Sequence, residues 1–182
     1  MHSISSAMER HISYVANKFS QHLTPCWLLI STEKQSMYLI NVDTIEKDYS
    51  ISTSMYGVGS EQDSFKTPPG AHVVAQKIGE HCELNEILRG RQATGECADI
   101  IYQAKSSQED LILSRILWLK GLEKGKNFGQ GVDSYQRYIY IHGTQEEGLI
   151  GTPASHGCVR MLNKDIIEIF ERINEGTFVY IV

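Results

Sequence analysis

The stretch Ser155-His156-Gly157-Cys158-Val159-Arg160-Met161 decides how this 182-residue chain is interpreted. It places a cysteine directly after a glycine and two residues after a histidine. A thiol reacts as its thiolate, and a free cysteine, with a pKa of about 8.5, is mostly protonated near neutral pH. A cysteine nucleophile therefore needs an imidazole close by, and the stretch predicts such a nucleophile at Cys158.

Two histidines are candidates for the general base. His156 precedes Cys158 by two residues, whereas His142 ends the apolar run 138–142 farther upstream. Residues two apart on an extended segment point the same way, and a base on a neighbouring strand can approach the sulfur from the side. The residues by themselves leave the base open between His142 and His156.

Glycines stand beside both candidate groups. Gly143 follows His142, Gly157 precedes Cys158, and a residue without Cβ lets substrate backbone come close. Backbone N–H groups around Gly157 and Cys158 are candidates for an oxyanion hole. We therefore expect this loop to hold a substrate carbonyl.

Outward from this loop, short runs rich in β-branched and aromatic residues alternate with polar turns, which is typical of strands. These runs are 27–32, 36–42, 49–54, 71–77, 111–120, 138–142 and 177–182. The segment 79–108 is polar and interrupted by glycines, so we expect an irregular lobe there. The pattern predicts a mainly β domain with minor α content, sandwich-like or barrel-like.

A helix is expected near each end of the chain. At the start, apolar residues recur every three or four positions, and Ser6 to Glu9 has the form of a capping box. Near the end, Asn163 is a candidate cap and Gly176 a stop. The apolar faces are Ile4, Met8, Ile12, Val15 and Phe19, and then Ile166, Ile169, Phe170 and Ile173. We expect residues 1–24 to pack on a catalytic domain formed by 25–182.

Composition excludes several classes of protein. The net charge of −5 gives no basic excess for nucleic acid, and four cysteines are too few for a disulfide scaffold. No apolar run reaches membrane-spanning length, so we expect no transmembrane segment. The start lacks an apolar signal region, which favours a cytoplasmic protein; a periplasmic one is the alternative if a signal peptide has been removed.

A zinc site is an alternative use of the same residues. His142, His156 and Cys158 are all ligand types that suit zinc. No HExxH-like or CxxC motif accompanies them. We therefore expect neither a metal nor another cofactor.

The sequence resembles the L,D-transpeptidases of the YkuD type. The resemblance rests on Ile141-His142-Gly143-Thr144, on the stretch 155–161, on the terminal helix followed by 176–179, and on Thr67-Pro68-Pro69-Gly70. It covers 27–182 and implies a YkuD-like β-sandwich that acts on peptidoglycan tetrapeptide stems or muropeptides. It also implies that carbapenem-type inhibitors bind.

The resemblance further implies roles for individual residues. Cys158 would attack the carbonyl between the L-centre of a diamino acid and the next D-alanine, leaving a thioester. His142 would be the base, oriented by the Gly143 carbonyl. Ser155, His156, Gly157 and Arg160 complete the predicted site: His156 and Gly157 would frame the oxyanion with Cys158, and Arg160 would order the loop or meet a substrate carboxylate.

The acceptor stays open between two reactions. Water would make the protein an L,D-carboxypeptidase of wall recycling, which suits the expected cytoplasmic location. An amine would make it a crosslinking L,D-transpeptidase in the periplasm. A third hypothesis, from another class, is a non-catalytic module that only binds wall peptides; the presence of both His142 and Cys158 argues for the enzyme.

Overall fold

The computed structural model describes residues 6–182, without the side chain of Ser6. Ile4 of the predicted helix face and the Ser6 side chain of the predicted capping box lie outside that part. The elements in chain order are α1 (Ser6–Lys18), β1 (Cys26–Ser31), β2 (Ser36–Asn41), β3 (Thr44–Ser52), β4 (Gly70–Ile78), β5 (Glu86–Arg89), β6 (Gln92–Cys97), β7 (Ile112–Gly121), β8 (Tyr140–Gly143), β9 (Val159–Met161), α2 (Asn163–Arg172) and β10 (Phe178–Ile181).

The strands form one sheet in the order β4-β10-β1-β2-β3-β9-β8-β7-β5-β6, and β4 also pairs with β7. The β4–β7 pairing closes eight strands into a ring, from which the β5–β6 hairpin branches. Closure removes most of the free edges that an open sheet would expose. The predicted mainly β, barrel-like class with minor α content is confirmed.

Alternation along the strands separates the main core from the outer face. Leu28 and Ile30 of β1 join the core with Ile141 of β8 and Val159 of β9. Helix α2 supplies Ile166, Ile169 and Phe170 to the same core, and Ile173, directly after the helix, joins them. Since neighbouring strand residues face opposite ways, Tyr140, His142, Cys158 and Arg160 are left on the other face.

Helix α1 packs on the outside of β1 and β10. Its apolar stripe of Met8, Ile12, Val15 and Phe19 is buried against Trp27, Leu29, Phe178 and Tyr180. Burying each such side chain contributes about 1.5–3 kcal/mol. No helix within residues 6–182 is long and apolar enough to cross a membrane.

Several sequence expectations need correction. The 79–108 lobe is not irregular throughout, because it contains the β5–β6 hairpin; β6 is exposed along its whole length, so it shows no apolar alternation. The three-residue strand β9 was not expected. Asn163 is the first helical residue of α2 and not its cap: Leu162 occupies the cap position, and Glu147 accepts the Asn163 N–H at 2.8 Å.

Candidate active site

Strands β8 and β9 bring His142 and Cys158 together. They pair in parallel, with Ile141 opposite Val159 and His142 opposite Arg160. Cys158 directly precedes β9, on the outer face with His142. Two groups that are distant in the chain therefore project from adjacent strands towards the same side of the sheet.

The Cys158 sulfur is held by backbone groups at the start of β8. The thiol donates to the Tyr138 carbonyl at 3.4 Å, and the Tyr140 N–H donates to the sulfur at 3.3 Å. The side chain packs against the outer cluster that contains Trp118 and Tyr140. The thiol is thus fixed in place but is not held as a thiolate.

Burial dominates the protonation state of this thiol. Although Cys158 is only half-buried as a residue, the groups packed around its sulfur raise the thiol pKa to about 12. Burial is the main cause, and the Tyr140 N–H opposes it. The resting thiol is therefore protonated and needs a base during the reaction.

His142 has the tautomer that a base requires. Its Nδ1 lies 2.7 Å from the Gly143 carbonyl oxygen, which can only accept, so Nδ1 carries the proton. Burial lowers the pKa of His142, although Asp110 and the Gly143 carbonyl act in the opposite direction. The neutral ring leaves Nε2 free to accept a proton.

The resting pair of His142 and Cys158 is not hydrogen-bonded. Over residues 6–182, no hydrogen bond joins the imidazole to the thiol, which donates instead to the Tyr138 carbonyl. The thiol proton must turn away from Tyr138 before His142 can take it. Catalytic hydrogen bonds often form only once substrate is bound.

The loop before Cys158 is fixed by two buried hydroxyl groups. Ser155 Oγ donates to the Cys158 carbonyl at 2.5 Å and accepts from the Gly157 N–H at 3.3 Å. Thr67 Oγ1 donates to the Gly157 carbonyl at 3.0 Å and accepts from the Ser54 N–H at 3.0 Å. The Gly157 N–H must therefore leave the Ser155 hydroxyl before it can donate a hydrogen bond to an oxyanion.

Both glycines occupy positions that exclude a larger residue. Gly157 has φ +122°, in a region that side chains rarely adopt. A Cβ on Gly143 would lie 2.7 Å from the Leu113 carbonyl oxygen, closer than such atoms approach. Gly143 is needed for close packing against β7, and Gly157 for the turn.

Arg160 is tied to two carboxylates. Its Nη1 lies 2.6 Å from Glu146 Oε2, its Nη2 lies 2.7 Å from Asp110 Oδ1, and the guanidinium is 2% exposed. Only Nε lacks a partner, and it is buried. These contacts tie Arg160 to the segment after β8 and to the residues just before β7.

His156 points towards solvent beside the same carboxylate. Its Nδ1 lies 3.0 Å from Asp110 Oδ2, and its side chain is 46% exposed. The rings of Tyr56 and Phe65 lie within about 6 Å of the imidazole centroid. His142 and His156 are thus a buried and an exposed imidazole of one site.

Comparison with known proteins decides the family. The profile of the L,D-transpeptidase catalytic domain, YkuD, matches residues 25–181. This chain belongs to that family. The predicted resemblance is therefore confirmed over nearly the whole chain.

One curated relative of this YkuD-family chain is "Probable L,D-transpeptidase YbiS" of Escherichia coli strain K12. The two are 46% identical over 46 residues, which make up 25% of this chain and 15% of the relative. The similarity therefore covers only a small part of the relative's length.

Solved structures show the same fold. An L,D-transpeptidase from Mycobacterium smegmatis superposes with TM-score 0.52 at 10% identity, covering 87% of this chain and 58% of that one. L,D-transpeptidase 3 from Mycobacterium tuberculosis, in complex with a faropenem-derived adduct, gives TM-score 0.53 at 13% identity, covering 86% and 60%. The chain spans about three-fifths of those structures, and the likeness concerns the fold.

In this family member the 79–108 lobe covers one side of the site. Arg91, in the turn of the β5–β6 hairpin, donates to the Tyr140 hydroxyl at 3.2 Å and lies over the Trp118 ring at 4.9 Å. The end of the lobe and the residues after it line a pocket of about 230 Å³ with His156 and Arg160. The remaining lining residues are Met55, Ser106, Ser107, Gln108, Glu109, Asp110, Glu146 and Ala154.

The zinc alternative finds no arrangement to support it in the described part of the chain. Within residues 6–182, no group of three or more His, Cys, Asp or Glu side chains is arranged to hold a metal. Nδ1 of His142 is hydrogen-bonded to the Gly143 carbonyl, and Nδ1 of His156 is hydrogen-bonded to the Asp110 carboxylate.

Sequence reasoning missed three residues that shape the site. Asp110 and Glu146 hold Arg160, and Thr67 holds the Gly157 turn. Thr67 lies in the quoted 67–70 motif, so its position was visible although its contact was not. Asp110 and Glu146 stand in polar segments that carry no pattern.

Proposed function

We propose that this chain is a cysteine enzyme of peptidoglycan metabolism. It cleaves the L,D bond of tetrapeptide stems through a thioester on Cys158, releases D-alanine and hydrolyses the thioester. One observation carries the proposal: the Cys158 thiol and the Nδ1-protonated imidazole of His142 project from adjacent parallel strands onto one face.

The first half-reaction follows from these groups. Nε2 of His142 takes the thiol proton while the sulfur bonds to the carbonyl carbon between the L-centre and D-alanine. The C–N bond then breaks, and the imidazolium gives its proton to the departing amine. The backbone N–H groups of the turn at Gly157 and Cys158 would stabilise the negative charge on the oxygen of the tetrahedral intermediate.

Water is the acceptor in this proposal. The exposed imidazole of His156, which lines a pocket of about 230 Å³ with Arg160, gives water access beside the Cys158 segment. An amine acceptor, and hence crosslinking, is the alternative. Hydrolysis would place the enzyme in the cytoplasm, on recycled wall peptides, and crosslinking would place it outside the membrane; fractionation of the native host separates the two.

Mass spectrometry after exposure to a carbapenem tests the nucleophile. The M. tuberculosis structure described above carries an adduct derived from faropenem, a β-lactam, and we propose that Cys158 is acylated by β-lactams of the carbapenem class as well. We expect one adduct on the wild type and on Cys97→Ala, which removes an exposed thiol, and none on Cys158→Ala. An undiminished adduct on Cys158→Ala would refute the assignment.

Incubation with a sugar-free tetrapeptide stem tests the reaction. We expect tripeptide plus D-alanine, and we expect His142→Ala to lower the rate by about 10²–10⁴-fold through loss of the base. An added amine acceptor should leave tripeptide as the main product. Crosslinked dimers formed in preference to tripeptide would establish the transpeptidase alternative, and binding without turnover would establish the non-catalytic module.

A further inference from the structure

Asp110 joins the exposed histidine of the site to its buried arginine. It stands just before β7, and one carboxylate oxygen faces His156 Nδ1 at 3.0 Å. The other oxygen faces Arg160 Nη2 at 2.7 Å. A single side chain from the segment between the lobe and β7 therefore contacts two residues that flank Cys158.

The surrounding contacts hold Asp110 in place. The side-chain amide of Gln145 donates to Ser107 Oγ at 2.6 Å and to the Glu109 carbonyl at 2.7 Å. These bonds tie the loop 106–110, which carries Asp110, to the segment after β8. Arg160 is in turn fixed by Glu146. Because both the loop and the guanidinium are anchored, the Asp110 carboxylate has little freedom to leave His156.

Charge keeps this carboxylate ionised. Burial is the largest single effect and opposes ionisation of Asp110, but Arg160, His142 and His156 together outweigh it, so the pKa of Asp110 lies below its usual range. A carboxylate can only accept hydrogen bonds. The proton of the His156–Asp110 bond is therefore on Nδ1, so Nε2 is the nitrogen that can accept a proton.

The two imidazoles of the site differ in access. His142 is 2% exposed, whereas the His156 side chain is 46% exposed and lines the 230 Å³ pocket with Asp110 and Arg160. A small molecule that occupies this pocket contacts His156. His142 suits proton exchange with the enclosed thiol, and His156 suits proton exchange with a group arriving from solvent.

We propose that Asp110 is a positioning residue that holds His156 with Nε2 unprotonated, so that His156 activates the acceptor of the thioester. This inference rests on the proposed function and assigns its second half-reaction. Water gives a proton to His156 Nε2 while its oxygen bonds to the thioester carbon. The C–S bond breaks with its electron pair on sulfur, and the imidazolium proton then neutralises the thiolate.

Nitrogen NMR of histidine-labelled protein tests the positioning itself. In the wild type we expect neutral His156 to be protonated at Nδ1. In Asp110→Asn we expect the Nε2-protonated form to appear as well, because an amide can donate to Nδ1 as readily as accept from it. Asp110→Glu should restore the wild-type tautomer.

Two variants separate this effect from a general disturbance. Glu109→Gln removes the neighbouring, exposed carboxylate of the same loop, and Glu146→Gln weakens the other partner of Arg160. Both should keep His156 protonated at Nδ1. An Nε2-protonated wild type, an unchanged tautomer in Asp110→Asn, or the same change in Glu146→Gln would overturn the proposal.

Rapid-mixing kinetics test the assigned half-reaction. Acylation of Cys158 by a carbapenem should fall less than tripeptide release in Asp110→Asn and His156→Gln, because His142 serves that step. Tripeptide release should fall about 10–100-fold in both, as loss of a general base predicts, with thioester accumulating on Cys158. An equal fall in acylation and release would overturn the inference; a wild type that never forms the thioester would instead refute the proposed function and leave the NMR result to stand.

Discussion

Arg160 and Glu146 form an ion pair that is almost closed to solvent. Nη1 lies 2.6 Å from Oε2, and the two side chains are 2% and 6% exposed. The pair lies beneath the candidate active site and links β9 to the segment after β8. Removing one member of such a pair leaves an uncompensated buried charge, which costs more than the pair itself contributes.

Glu146→Ala should therefore destabilise the protein by about 3–5 kcal/mol, since Asp110 alone must then neutralise Arg160. Glu146→Gln keeps an acceptor for the guanidinium and should lose less. Urea unfolding followed by circular dichroism measures both. Equal stability of Glu146→Ala and wild type would show that the pair adds nothing to the fold.

Burial of His72 should make the free energy of unfolding depend on pH. Its Nδ1 donates to the Gly70 carbonyl at 3.0 Å, its Nε2 accepts from Ser134 Oγ at 2.9 Å, and burial lowers the pKa of His72 to about 4. An unfolded histidine titrates near pH 6.5, so between pH 6.5 and 4 the unfolded state binds the extra proton. The contribution of His72 to the free energy of unfolding is complete above pH 6.5. The free energy of unfolding should fall by about 3 kcal/mol as the pH drops to 4.

Urea unfolding at several pH values checks this contribution. His72→Gln should be less stable than wild type at pH 7.5 but should lose less between pH 6.5 and 4. The exposed His81 gives a matched control, because His81→Gln removes a histidine that the fold does not enclose. Parallel pH curves for wild type and His72→Gln would contradict the expectation.

Alkylation of Cys158 should report a resting thiol and not a preformed ion pair. Because burial raises the pKa of Cys158 to about 12 and lowers the pKa of His142, neither group is charged at neutral pH. The rate with iodoacetamide should rise steadily from pH 7 to pH 10 without reaching a plateau. A plateau beginning below pH 8 would indicate a thiolate–imidazolium pair at rest.

The sequence predicted those parts of the molecule that depend on the pattern of residues close together in the chain. Trp27, Leu28, Leu29 and Ile30 form a β-branched and aromatic run, and β1 is found there. The apolar spacing after Asn163 gave α2. Cys158 and His142 were visible because a reactive thiol needs an imidazole, and because the motifs around them are specific.

Contacts between distant residues could not be predicted in this way. Asp110 contacts His156, which lies 46 residues farther along the chain. The polar loop that contains Asp110 shows no sequence pattern that predicts this contact. Tyr138 was expected inside a strand, but it precedes β8 with φ +57° and lies 53% exposed, and its carbonyl holds the thiol. These features arise from tertiary packing, which overrides local propensity.

Thr67→Val should separate the geometry of the turn from the chemistry of the cysteine. Valine keeps the shape of threonine but removes the hydroxyl that donates to the Gly157 carbonyl and accepts from the Ser54 N–H, so two buried backbone groups lose their partner. Leaving such groups unpaired costs about 1–3 kcal/mol each, and the Gly157 turn should shift because it keeps the contact with the Ser155 hydroxyl but loses the one with Thr67. We expect the rate of carbapenem acylation to fall about tenfold, as a small displacement of a positioned nucleophile predicts.

Thr67→Ser is the matched control, because it keeps the hydroxyl and removes only the methyl group. Its acylation rate should stay close to wild type, and its loss of stability should be smaller than that of Thr67→Val. Mass spectrometry of the Cys158 adduct over time gives the rates, and urea unfolding gives the stabilities. If Thr67→Val is acylated as fast as Thr67→Ser, the hydroxyl holds the fold but does not position Cys158.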